Sequence, residues 1–67
     1  MKIILNSIPT TLPKDYMTVD DLIEWKSIKP IGTAVAINNK IIRRENWKIT
    51  RLSDLDQVNI ISAAFGG

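Results

Sequence analysis

Between Thr18 and Lys29 the chain carries the signals of one helix, and its other apolar runs are β-prone. Thr18 is a capping residue, and Asp20 and Asp21 follow in the first turn, where the helix dipole favours negative charge. Val19, Leu22 and Ile23 fall at helical spacing, and Trp25 and Ile28 extend the stripe in steps of three. Lys26 and Lys29 are placed in the last turns, and Pro30 followed by Gly32 stops the helix. A helix with one apolar stripe must bury it against another layer, and here that layer is a sheet.

The strands come from period-two runs and turn residues. Lys2 to Ser7 is the first, with Ile3 and Leu5 on one face. Pro9 to Leu12 is a short second strand completing a hairpin, held to an edge or to its ends by Pro9 and Pro13. Thr33 to Ile37 puts Val35 and Ile37 on one face. Asn38-Asn39 then signals a turn, and Ile41-Ile42 resumes extended structure. Arg44 to Lys48 is placed as one helical turn around Trp47. Ser53-Asp54 is another turn, and Gln57 to Phe65 is the last strand. Runs of strands on either side of one helix define an α+β fold, one sheet packed on that helix. The 67 residues are enough for one domain, residues 1–67, with a thin core, since a chain of this size buries roughly 60% of its unfolded surface.

Two zeros in the composition exclude most chemistry. With no cysteine, disulfides, thiolate metal sites and cysteine nucleophiles are out. With no histidine, so are a Ser-His-Asp triad and an imidazole metal site. Three glycines leave no room for a dinucleotide fingerprint or a P-loop. The expectation is a protein that is not an enzyme, binds no cofactor or metal of its own, and relies on a partner for chemistry. No apolar run approaches the roughly 18 residues of a membrane span, so a cytoplasmic location with no membrane partner is expected. Nine basic against seven acidic residues give a net charge of only +2, which argues against nucleic acid as a partner. The cations Lys40, Arg43, Arg44, Lys48 and Arg51 nevertheless cluster. They form either a solvated face or a surface that steers docking onto an acidic partner, with Arg43 and Arg44 as the candidate contacts.

Two of the three glycines are Gly66 and Gly67, behind Phe65. One reading is an uninformative chain end, since ends are commonly disordered. The other is functional. A glycine tail has no side chains and enters a narrow enzyme channel in any backbone conformation. Its carboxylate, with a reference pKa of about 3.5, is ionised and unreactive toward nucleophiles until a partner adenylates it. A sulfur nucleophile then displaces AMP and leaves a thiocarboxylate. In this reading residues 65–67 are a flexible tail, Gly67 is the adenylation and thiocarboxylate site, and Gly66 supplies freedom. Phe65 either anchors the tail or docks in a partner pocket.

At this point a resemblance enters. Val35-Ala36-Ile37-Asn38, Ile41-Ile42 and Arg44-Glu45-Asn46-Trp47, followed by Leu52 to Val58, an apolar strand and Gly66-Gly67, resemble the sulfur carrier proteins of thiamine biosynthesis, the ThiS family. The resemblance spans essentially the whole chain. It implies a ubiquitin-like β-grasp, with one mixed sheet of four to five strands on a single main helix. It also implies that Gly67 is adenylated by an E1-like adenylyltransferase using ATP. Gly67 then takes sulfur from a persulfide donor and delivers it to thiazole synthase. Many members of the family it resembles have proline where Arg43 stands and glycine where Leu55 stands, and a leucine at that point argues against a left-handed turn.

Three other readings compete. The small subunit of molybdopterin synthase shares the fold, tail and activation, and a ubiquitin-like modifier would join its tail to lysines. The remote alternative is a small basic nucleic-acid-binding module. Among the remaining residues, Trp47 is read as packing beside the sheet, Trp25 as either core or exposed contact, and Asp54 and Asp56 as turn formers.

Overall fold

In the computed structural model, which describes residues 1–62, the elements run β1 (Lys2–Leu5), β2 (Ile8–Thr11), α1 (Val19–Trp25), β3 (Thr33–Ile37), β4 (Lys40–Ile42) and β5 (Gln57–Ser62). A 3-10 turn at Arg44–Asn46 lies between β4 and β5. The five strands form one sheet in the order β2-β1-β5-β3-β4. β1 pairs parallel with β5, and the other neighbours are antiparallel, so the sheet is mixed. This is the expected α+β arrangement, and β2 with its Pro9 lies at an edge, where no ladder bond is lost. The last strand was expected to reach Phe65. Its residues 63–65, like the tail 65–67, lie outside the described residues.

Both hairpins close through two residues of positive φ, Asn6 (48°) with Ser7 (70°) and Asn38 (50°) with Asn39 (70°). Two such residues match the right-handed twist of the flanking strands, and asparagine tolerates this region better than most side chains. The resulting registers, Leu5 opposite Ile8 and Ile37 opposite Lys40, put Ile3, Leu5, Val35 and Val58 on one buried face. Val19, Leu22 and Ile23 of α1 pack there with Leu12, Met17, Trp47 and Leu52.

The helix begins as expected and ends early. Thr18 Oγ1 accepts from the Asp21 amide at 3.1 Å, and the Asp21 carboxylate accepts from the Thr18 amide at 3.0 Å, a reciprocal capping box. The expected end at Lys29 is wrong: α1 stops at Trp25. Ser27 turns left-handed at φ 56°, its amide donates to the Glu24 carbonyl, and the Ile28 amide donates back to the Ile23 carbonyl. That is a Schellman closure with serine in the usual glycine position. It still delivers Ile28 to the edge of the core, while Lys26 and Lys29 lie beyond the helix. Trp25 is 41% exposed, which resolves its two readings toward the surface.

Trp47 is packing, as expected. Only 2% of it is exposed, its Nε1 donates to the Ile42 carbonyl at 3.0 Å, and its own carbonyl accepts from Asp20 at 3.2 Å. It therefore ties β4 to the start of α1. Asp56 is a turn former, accepting from the Ser53 amide at 2.7 Å, whereas Asp54, in the same turn, reaches across to accept from the Lys2 amide of β1 at 2.9 Å. The expectation against a left-handed turn at Leu55 is overturned, because its φ is 67°. The Leu55 amide donates to the Lys2 carbonyl at 2.6 Å, and that bond with the two aspartate bonds outweighs the steric cost.

Ser27→Gly and Leu55→Gly should each stabilise the fold by about 0.5–1 kcal/mol, the left-handed penalty less the entropy that glycine adds to the unfolded chain. Urea denaturation measures both, and a loss of stability in either variant contradicts the backbone assignment there. Trp47→Ala should cost about 3–5 kcal/mol, much of the stability of a chain this short, and appear as a large drop in urea midpoint.

Candidate functional site

β5 is the last described element before the candidate site, because Ser62 is followed in sequence by residues 63–67. Phe65, Gly66 and Gly67, the residues expected to carry the chemistry, lie outside the described residues. What the structure describes is the platform they are attached to. β5 has a strand on each side, β1 and β3, and both hold it by backbone and side-chain bonds. The Asn6 carboxamide oxygen accepts from the Ile60 amide at 2.8 Å. Asn38 accepts from the Gln57 amide at 3.0 Å and donates to Asp56 at 3.1 Å. The turn asparagines of both hairpins thus also clamp β5.

The face of the sheet opposite α1 is partly apolar and uncovered by any described element. Ile41, Ala36 and Asn59 form one cross-strand row, and Ala34 pairs with Ile61 in the next. Ile41 is 63% and Ile61 61% exposed. Small Ala34 and Ala36 leave the two isoleucines standing above the surface. Sequence reasoning did not single out this patch, although the doublets Ile41-Ile42 and Ile60-Ile61 signalled it. Consecutive apolar residues in a strand must point to opposite faces, and the single helix covers only one.

Arg43 and Arg44 are both exposed. Arg43 follows Ile42, whose cross-strand row runs through Val35 to Ile60. The topology therefore brings Arg43 to the same end of the sheet as Ser62, two strands away, or roughly 10 Å at the usual strand spacing. Its guanidinium is 3.7 Å from Glu45, an exposed pair worth little and easily exchanged for another anion. Lys40, Lys48 and Arg51 are exposed as well. Among the described residues no group of three or more acidic side chains converges as a metal site. No helix among them is long and apolar enough to cross a membrane.

Comparison with known proteins draws these features together. The family model described as "ThiS family" matches residues 3–67, a span that includes Gly66 and Gly67. The chain is 36% identical over 50 residues to the sulfur carrier protein ThiS of Escherichia coli (strain K12), covering 75% of this chain and 76% of that one. Its fold is similar to the crystal structure of the thiamine biosynthesis protein ThiS from Geobacter metallireducens, with a TM-score of 0.85 and 23% identity over the whole of both chains. The solution structure of a thiamine biosynthesis protein from the same organism gives 0.84 at 23% identity, covering all of this chain and 88% of that one. The mixed five-strand sheet on one helix is thus a β-grasp. On the family match and the identity to the curated relative, this chain belongs to the ThiS family.

Proposed function

We propose that the protein is a sulfur carrier of thiamine biosynthesis, with the Gly67 carboxylate as the atom-carrying group. The observation that carries this reading is the family match running through Gly66 and Gly67, on a chain with no cysteine or histidine of its own. A carboxylate oxygen attacks the α-phosphorus of ATP held by an E1-like adenylyltransferase, and pyrophosphate leaves. The acyl-adenylate converts a poor oxide leaving group into AMP. The terminal sulfur of a persulfide donor then attacks the carbonyl carbon and expels AMP, and a thiol cleaves the resulting S–S bond to release the thiocarboxylate. Thiazole synthase is the acceptor. ATP is used by the activating partner, and the carrier supplies a side-chain-free substrate and a surface by which to hold it.

The surface suited to holding it is the uncovered face around Ile41 and Ile61, continuous with the strand that leads to Gly67. Exposed apolar residues rimmed by polar ones suit protein contact. Arg43 and Arg44, at the same end, steer an acidic partner into register. Delivery to thiazole synthase, rather than to a molybdopterin or a lysine, is supported by the family match and by the relative's name.

Deleting Gly67 should abolish activation while leaving the urea midpoint unchanged. Incubation with adenylating enzyme, ATP and a sulfur donor should add about 16 Da to the full chain and nothing to the deletion variant, which controls for the like gain of methionine sulfoxide. An equal gain in both variants rejects the carrier reading. Replacing Ile41 by Asp should raise the KM for the carrier about tenfold or more with the fold intact, as loss of a central apolar contact does. An unchanged KM removes the outer face from the docking surface.

A further inference from the structure

β5 overshoots its parallel neighbour. β1 pairs with Gln57 and Val58 and then turns away at Asn6-Ser7, whereas β5 continues to Ser62. The hydrogen bond from the Asn38 amide to the Gln57 carbonyl shows that Gln57 faces β3, and alternation sends Asn59 and Ile61 the same way. Val58, Ile60 and Ser62 therefore turn their backbone groups toward β1. Val58 is met by the Asn6 amide and the Ile60 amide by the Asn6 side chain. Past that point the Ile60 carbonyl and the Ser62 amide face the place where a longer β1 would lie, and no described strand is there.

That place is a groove of about 480 Å³. Its walls include Leu5, Ile28, Ile31 and Ile60, and Lys26 and Lys29 stand at its rim. Ile31 is 79% exposed, an isoleucine left on the surface beside an open strand edge. The early Schellman stop of α1 makes this groove, because a helix continued to Lys29 would not carry Ile28, Lys29 and Ile31 away as a separate segment. An open edge, an apolar floor and two cations on one rim together describe a seat for an extended chain with apolar side chains and an acidic residue.

We infer that this groove receives an extended, acidic segment of the enzyme that activates Gly67, added to the sheet as a strand against Ile60 and Ser62. The inference rests on the carrier reading above. Any partner that takes residues 63–67 into its active site passes this edge, which lies five residues from Gly67. A strand added there is anchored by main-chain bonds, and its acidic side chain meets Lys29. Occupying both this edge and the outer face would grip β5 from two directions and fix where the tail points.

The test uses the full chain with purified adenylating enzyme and ATP. By hydrogen–deuterium exchange, the Ser62 amide should exchange freely in the isolated chain and become protected in the complex. Lys29→Glu should raise the KM for the carrier about fivefold with kcat unchanged, the scale of an exposed ion pair turned into a like-charge contact. Ile31→Asp should do the same, Lys29→Arg should restore the KM, and Lys14→Glu, of equal charge change elsewhere, should leave it alone. If Gly67 is activated while Ser62 exchange and the Lys29→Glu KM stay unchanged, the inference falls and the carrier reading stands. If the unsubstituted chain is never activated, both fall. Ser62 protection in the isolated chain that grows with concentration would assign the edge to a second copy. Protection there that disappears on deleting residues 63–67 would assign it to the chain itself. Either result overturns the inference.

Discussion

The parallel pairing of β1 with β5 is the contact on which the rest of the structure depends. It joins Ile4 and Leu5 to Gln57 and Val58, segments more than fifty residues apart, and inserts β5 between two hairpins made earlier in the chain. Without it, the sheet divides into a β1–β2 ribbon and a three-stranded β5-β3-β4 piece, and a two-stranded ribbon by itself is marginal in water. With it, Ile3, Leu5, Val35 and Val58 form one apolar face wide enough for α1 to cover. Closing so long a loop carries an entropic cost, and the bonds from Asn6, Asn38, Asp54 and Asp56 converge on this region to offset it.

The same pairing explains how a chain with so little chemistry of its own serves as a carrier. In the proposed reading Gly67 takes its nucleotide and sulfur from partners, and the part left to the body is to present residues 63–67. Placing the tail after an internal strand does this, because β5 is held from both sides and transmits the orientation of the whole sheet to Ser62. The helix covers only one face, which leaves Ile41 and Ile61 exposed on the other. A thin single-layer core is a constraint of the chain's size, and the uncovered face it leaves is the surface available for contact.

Much of this was legible from residue patterns. Thr18 as a capping residue, with Asp20 and Asp21 in the first turn, marked the helix start, because capping and dipole effects act within a few neighbouring residues. Asn38-Asn39 marked a hairpin, and Pro9 marked an edge strand, each for reasons confined to a few neighbouring residues. The misreadings have a common cause. Ser27 looked helical and Leu55 looked unfit for a left-handed turn, since their intrinsic preferences point that way. Bonds from Ile28 to Ile23 and from Leu55 to Lys2 reversed those preferences, and the second of these spans most of the chain.

From the order of its residues alone, the chain determined its one helix, its strand count, its want of any cysteine or histidine and the Gly66-Gly67 pair that marks its family. These follow from side-chain type and short spacings, where propensity and periodicity act. The tertiary structure decided which strand lies in the middle, that β5 outruns β1, and that Ile41, Ile61 and Ile31 remain on the surface. Those outcomes depend on which distant segments pair and which face the helix reaches. An isoleucine carries the same apolar surface in either place, so only the assembled sheet determines whether it becomes core or contact.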